Sequence, residues 1–148
     1  MTKSIKIREG SLETVVKVNA TITEFETSYS KEYFEERCNN TVNLVLIAYV
    51  DDQPAGYMVS YEKENSGSFY CWMAGVDPLF RRLGLLNKMM QYLNDWAKKH
   101  GYKKITIKTR NNRKEMLAYL VKSGFNFTEV LPQPSTEDNR IILEKVVM

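Results

Sequence analysis

Residues 76–86 read Val-Asp-Pro-Leu-Phe-Arg-Arg-Leu-Gly-Leu-Leu, a stretch that closes an apolar strand and opens a long amphipathic helix. Pro78 holds Asp77 extended and stops the strand, and Gly84 has no side chain to keep the backbone from approaching a ligand. The helix beyond points its unpaired N–H groups and the positive end of its dipole back at the turn. A chain with this junction contains a strand-to-helix corner suited to an anion, and phosphate is the anion such corners hold. Taken alone, the same residues also describe a basic loop before an ordinary helix, so the rest of the chain has to decide.

That remainder alternates short strands and helices. Period-two alternation predicts a strand over 4–8, and Ser11 offers an N-cap to a helix carrying Leu12, Val15, Val18 and Ile22 at helical spacing. A second helix is expected over 31–37, capped by Ser30. Strands over 42–50, 55–62 and 69–76 are separated by the turn signals Asp51-Asp52-Gln53-Pro54 and Asn65-Ser66-Gly67, which predicts an antiparallel meander. The long helix covers 82–100, with Leu83, Leu86, Met90, Leu93 and Ala97 on one side and Gly101 as its cap. A strand over 104–109, a helix over 112–123 capped by Gly124, and strands over 125–130 and 140–147 follow, with an exposed loop at 131–139. This β-α-α-β-β-β-α-β-α-β-β order predicts an α/β fold, a mixed and mostly antiparallel sheet with helices on both faces.

The 148 residues are 43% hydrophobic and show no linker-like or repetitive tract, so 1–148 is read as a single domain. The first residues alternate and are charged, unlike a signal peptide, and no stretch approaches the ~20 apolar residues of a membrane span. A soluble, cytoplasmic protein is expected. Cys38, Cys71 and His100 are too few and too scattered for a zinc site or redox pair, and no metal is expected. The placement of charge says more than its total: residues 81–114 hold eleven Lys or Arg against one acid, Asp95, a net of +10, so the rest of a chain totalling +3 carries −7. A basic half attracts a polyanion by its field as well as by contact. Nucleic acid is the competing polyanion, but aromatics do not interleave the first lysines and no reader motif is present, so no specific nucleic-acid partner is expected.

On these residues the chain resembles the Gcn5-related N-acetyltransferase (GNAT) family. Residues 76–86 match five of the six specified positions of its acetyl-CoA motif, Val-x-Pro-x-x-(Arg/Gln)-x-x-Gly-x-(Gly/Ala), with Leu86 where the family has a small residue. The element order is the family's over about the whole length. Asn112, Tyr119 and Gly124-Phe125 are similar to its Asn-x(6)-Tyr-x(3)-Gly-Phe segment, although Tyr119 lies five residues before Gly124 rather than four. Counted back from Gly124 the tyrosine position is Leu120, ~100° away around the helix.

The resemblance implies acetyl-CoA as co-substrate and an amine as acceptor, joined by direct attack on the thioester, in a protein whose relatives often form homodimers. It implies that backbone N–H groups of Ala74, Gly75 and Val76 face the thioester, with Gly75 suited to a bulge or to close packing. It implies that the N–H groups of Arg82, Leu83, Gly84, Leu85 and Leu86 surround the pyrophosphate, with charge from Arg81 and Arg82 and with Asn112 beside the cofactor. Tyr119 would protonate the departing thiolate. Relatives often carry a basic glutamate on the fourth strand, but 69–76 holds no acid, so the candidates become Glu24 and Glu26 after the first helix. Their acidic surroundings in sequence favour a cationic acceptor: a small amine, a polyamine, or a lysyl or amino-terminal amine. The Tyr119 register, Leu86 and the missing strand acid also suit a catalytically silent acyl-CoA-binding module. His100 reads as a helix-end charge, and Phe69, Tyr70 and Trp72 as strand packing, with one of them available to the acceptor pocket.

Overall fold

In a computed structural model describing residues 2–23 and 29–147, the elements are β1 (Ile5–Glu9), α1 (Leu12–Asn19), α2 (Lys31–Cys38), β2 (Asn43–Val50), β3 (Gln53–Tyr61), β4 (Ser68–Val76), α3 (Leu85–Lys99), β5 (Lys104–Arg110), α4 (Lys114–Lys122), β6 (Asn126–Leu131) and β7 (Arg140–Val146). The local signals act as the residue types require. Ser11 and Ser30 each accept the N–H three residues on, from Thr14 and Tyr33, at 3.3 Å. Asp51 and Asp52 take φ of 49° and 67° in a two-residue hairpin link. Both long-range helices end alike: Tyr102 N–H bonds to Ala97 O and Phe125 N–H to Leu120 O, each at 2.9 Å, around the left-handed Gly101 and Gly124.

The sheet order is β1-β2-β3-β4-β5-β7-β6, and the β4–β5 pair alone is parallel. Strand alternation divides the core in two. Leu44, Leu46, Ala48 and Met58 pack toward α3 and α4, whereas Val45, Ile47, Tyr57 and Val59 pack toward α1 and α2. The expected α/β fold, with a mostly antiparallel sheet and helices on both faces, is what forms. The α1/α2 cluster involves β2, β3 and β4; the same face of β5, β7 and β6 contributes none of it.

The sheet parts between β4 and β5. The parallel β4–β5 ladder stops at Cys71 and Ile107. Beyond that pair β4 stays with β3 through Val76, and β5 stays with β7 through Arg110, so the sheet forks.

Four expectations are corrected. The long helix starts at Leu85 rather than 82, because Pro78–Phe80 forms a 3-10 turn and Arg82 and Gly84 take left-handed φ of 66° and 75°, which no α-helix continues. The next helix starts at Lys114 rather than 112, because the N–H groups of Asn111 and Asn112 bond to Asn139 O and Glu137 O at 2.8 and 3.0 Å. Ile22 lies beyond the end of α1, yet is buried in that helix's cluster. The β3–β4 register shifts between Val59 and Ser60, opposite Trp72; Gly75 pairs regularly with Tyr57, so the bulge is not there.

Candidate active site

The fork opens into a cleft of about 1090 Å³. At one end it meets the start of α3. Asp77 fixes this corner: its N–H bonds to Ala55 O at 2.8 Å, its carboxylate accepts Leu79 N–H at 2.9 Å, and its carbonyl accepts Phe80 N–H at 2.9 Å. The N-cap of α3 is Gly84, so no side chain caps the helix, and its first internal bond runs from Lys88 N–H to Gly84 O at 3.0 Å. The N–H groups of Leu85, Leu86 and Asn87 therefore lack intrahelical acceptors. Among the described residues, and apart from Gly84's own chain neighbours and helix backbone, no heavy atom lies within 4 Å of where a Cβ on Gly84 would stand, which leaves the corner open.

Ala74, Gly75, Val76, Arg81, Arg82, Gly84, Leu85, Leu86, Asn112 and Tyr119 all border this cleft. Leu83 does not; its side chain packs on the larger core. Leu86 does both, packing partly on that core while edging the cleft, which is how a residue larger than Gly or Ala fits at this place. Glu24, like Glu26, lies outside the described residues.

Tyr119 borders the cleft from α4, which starts two residues later than the spacing suggests; Leu120 borders the cleft beside it. The Tyr119 hydroxyl donates to Asn87 Oδ1 at 3.2 Å. Burial raises its pKa above that of a free phenol, against a smaller opposing effect of Ser123, so the hydroxyl keeps its proton at neutral pH. Sequence reasoning missed Asn87. Its one signal is a polar side chain in the first turn of a helix whose start already looks functional.

The other end of the cleft is aromatic and cationic. Tyr29, Tyr33, Tyr70 and Trp72 border it, with Tyr29 stacked on Tyr33 at 4.5 Å and Tyr33 5.5 Å from Trp72. The Arg37 guanidinium lies 5.5 Å from the Trp72 ring, and the Lys63 ammonium lies 4.8 Å from the Tyr70 ring. Phe69, by contrast, is fully buried against Trp96 and Tyr102. Lys108, Arg110 and Arg140 border the same cleft, and partial burial together with Lys63, Arg140 and Arg37 lowers the Lys108 pKa. The described charges at this end are thus mainly cations, the opposite of the surroundings expected from Glu24 and Glu26. His100 stacks on Trp96 at 4.0 Å, with Nδ1 2.8 Å from Trp96 O, away from the cleft-lining residues.

Residues 16–125, which contain the fork, the corner at 76–86 and Tyr119, match the model of the acetyltransferase (GNAT) family. The chain belongs to the GNAT family. Solved structures share the GNAT fold over nearly its whole length. The ribosomal-protein-S18-alanine N-acetyltransferase from Escherichia coli has a TM-score of 0.81 at 16% identity, covering 97% of this chain and 94% of that one. Ard1 from Thermoplasma volcanium gives 0.81 at 19% identity, covering 97% and 98%. The PaiA N-acetyltransferase from Thermoplasma acidophilum, solved in complex with coenzyme A, gives 0.73 at 19% identity, covering 97% and 99%. At such identities the likeness is one of fold. Among the described residues, no helix of this GNAT chain is long and apolar enough to cross a membrane.

Proposed function

We propose that this GNAT protein is an acetyl-CoA-dependent N-acetyltransferase that moves an acetyl group to a primary amine by direct attack on the thioester. The observation that supports it most is the β4–β5 fork leading to the uncapped start of α3. Three open N–H groups, a glycine with free space above it and the adjacent Arg81 and Arg82 suit a pyrophosphate, and the divergent edge of β4 suits an extended amide-bearing arm. Bound acetyl-CoA supplies the activated acetyl group.

In this reading the N–H groups from Arg82 to Asn87 hold the pyrophosphate, and Arg81 and Arg82 add charge-assisted contacts. The backbone of Ala74, Gly75 and Val76 orients the arm, and its N–H groups face the carbonyl where charge develops. Asn112 flanks the cofactor from the β5–α4 turn. Tyr119, held by Asn87, keeps a proton ready for the departing sulfur; a thiol's ordinary pKa near ~8.5 makes this demand small. Glu24 is assigned the proton of the attacking amine by the family resemblance alone; among the described cleft-lining residues the one carboxylate is Glu115, in the first turn of α4.

The test is a melting curve with acetyl-CoA, free CoA or ATP, followed by thiol release with a panel of primary amines. A ligand at a hundred times its dissociation constant adds ~2.7 kcal/mol, several degrees for a domain of this size. The expected result is a shift specific to the two CoA species and amine-dependent thiol release. No shift, or an equal one with ATP, overturns the cofactor assignment. A shift without thiol release for any amine makes the chain a binding module instead.

A further inference from the structure

Arg110 and Arg140 stand directly opposite each other in the β5–β7 ladder, and Lys108 precedes Arg110 by two residues on the same face. Side chains in such positions are close neighbours, and like charges there repel. Asp138 and Glu115 border cavities that the two arginines also line, but no acid among the described residues is ion-paired with either arginine. Glu144 is engaged by Lys104 at 3.2 Å, and Glu129 is separated from Lys108 by Ile142, which lies between them in the same row. Arg140 donates to the backbone carbonyl of Asp138, not to its carboxylate, and neither arginine has an ion-pair partner among the described residues.

The place is also built. Arg110 and Arg140 border both the main cleft and a second cavity of about 380 Å³ that includes Gln133, Ser135 and Asp138. The loop bearing those residues is tied down: Asn111 bonds to Asn139 O and Thr136 O through its N–H and side-chain amide, and Asn139 Oδ1 accepts Gln133 N–H at 2.8 Å. Ile105, Ile107, Ile141 and Leu143 point into the α3/α4 core, so the three intervening cations face the other side of the sheet, away from the corner at the start of α3.

We propose that Arg110, Arg140 and Lys108 hold an anionic group, carboxylate or phosphate, carried by the amine acceptor itself. This rests on the N-acetyltransferase reading above. An anion between the two guanidinium groups converts their repulsion into paired charge-assisted hydrogen bonds and fixes the distance from the anion to the accepting nitrogen. The acceptor class is therefore an amine with a negative group close by, such as an amino acid or a phosphorylated amine, rather than a polyamine. The aromatic wall of Tyr33, Tyr70 and Trp72 is left to contact its carbon frame.

The experiment compares matched ligands on the full chain loaded with CoA. Calorimetry measures binding of an N-acetyl amino acid, its carboxamide and an N-acetylaminoalkyl phosphate, and thiol release measures turnover of the corresponding free amines. The anionic ligands are expected to bind about tenfold or more tightly than the carboxamide. Arg140→Gln should remove that advantage and raise KM for the anionic amines, while binding of the carboxamide and of acetyl-CoA stays level. The stronger of the two anionic ligands identifies carboxylate or phosphate as the source. Lys108→Gln, at an exposed position, should move the same preference in the same direction by a few fold, and answers the question if Arg140→Gln does not fold. Equal binding of acid and carboxamide overturns the proposal. So does a loss of acetyl-CoA affinity in Arg140→Gln that is matched by dephospho-CoA on the wild type, which assigns the pair to the cofactor's 3′-phosphate. Preserved discrimination without thiol release supports the anion site and removes the transferase reading.

Discussion

The two ends of the cleft are made of different material. The end at α3 is backbone: residues 76–87 form one continuous turn whose N–H directions follow from a proline, two left-handed residues and a helix start. The far end is side chains, brought together from the α1–α2 connection, α2, β4, β5 and β7. A backbone site needs only local spacing, and substitutions around it leave its donors in place. A side-chain site depends on register between distant strands, and a single exchange can change what it accepts. The division suits a protein with an invariant co-substrate at one end and a particular acceptor at the other.

The largest effect expected on this contrast comes from Tyr119→Phe, which removes one hydroxyl and leaves the ring. Turnover should fall ~10²-fold, the usual contribution of a proton donor, while KM for acetyl-CoA holds. Steady-state thiol release reads both, and unchanged turnover would take Tyr119 out of the chemistry. Gly84→Val attacks the backbone end. A branched side chain at φ 75° costs ~1–2 kcal/mol, and it stands over the open N–H groups, so acetyl-CoA should bind about tenfold less tightly by calorimetry. An unchanged affinity would move the phosphate away from this turn.

The fork itself can be probed by pH. Cys71, in the last β4–β5 pair, has its thiol pushed up to about 12 by burial, partly opposed by Ser60. The unfolded chain loses this proton first, so the contribution to stability is complete below the free-thiol pKa of ~8.5. It falls by up to about 1.4 kcal/mol per pH unit as pH rises toward the folded value. Denaturant unfolding between pH 8 and 10 should show the decline, and Cys71→Ala should make it shallower, leaving the part due to Cys38, whose thiol burial also pushes up; parallel curves would place the titration elsewhere. The smallest effect concerns the support of the aromatic wall. Ser30→Ala deletes the cap of α2, the helix carrying Tyr33, at ~1 kcal/mol, or ~2–4 °C in melting temperature. Acetyl-CoA affinity should not move, since the backbone end does not depend on α2.

What could be read from the sequence follows the same division. Ser11, Ser30, Gly101 and Gly124 mark their helix ends because a cap is a contact between near neighbours. The strand pattern yields the sheet because burial alternates along each strand. The true starts of α3 and α4 were hidden. One depends on Arg82 adopting a conformation its residue type seldom takes, the other on carbonyls of Glu137 and Asn139 some 25 positions away. The Trp72 irregularity and the Arg110–Arg140 juxtaposition are facts of register, and no local motif announces them. A sum of charge over sequence says nothing about neighbours in space: the chain outside 81–114 is net acidic, yet it contributes Arg140 to the cleft lining and sets Arg37 and Lys63 against the Trp72 and Tyr70 rings.

Where α1 and α2 bring their own serine to finish the first turn, α3 brings a glycine and leaves three amide hydrogens unanswered. A bound phosphate would do for α3 what Ser11 and Ser30 do for α1 and α2, and so becomes a removable part of the architecture. The amides of Leu85, Leu86 and Asn87 should then exchange with solvent quickly in the empty protein and slowly in the loaded one. Protection of that turn, and with it resistance to proteases that enter at frayed helix ends, would track the supply of co-substrate around the protein.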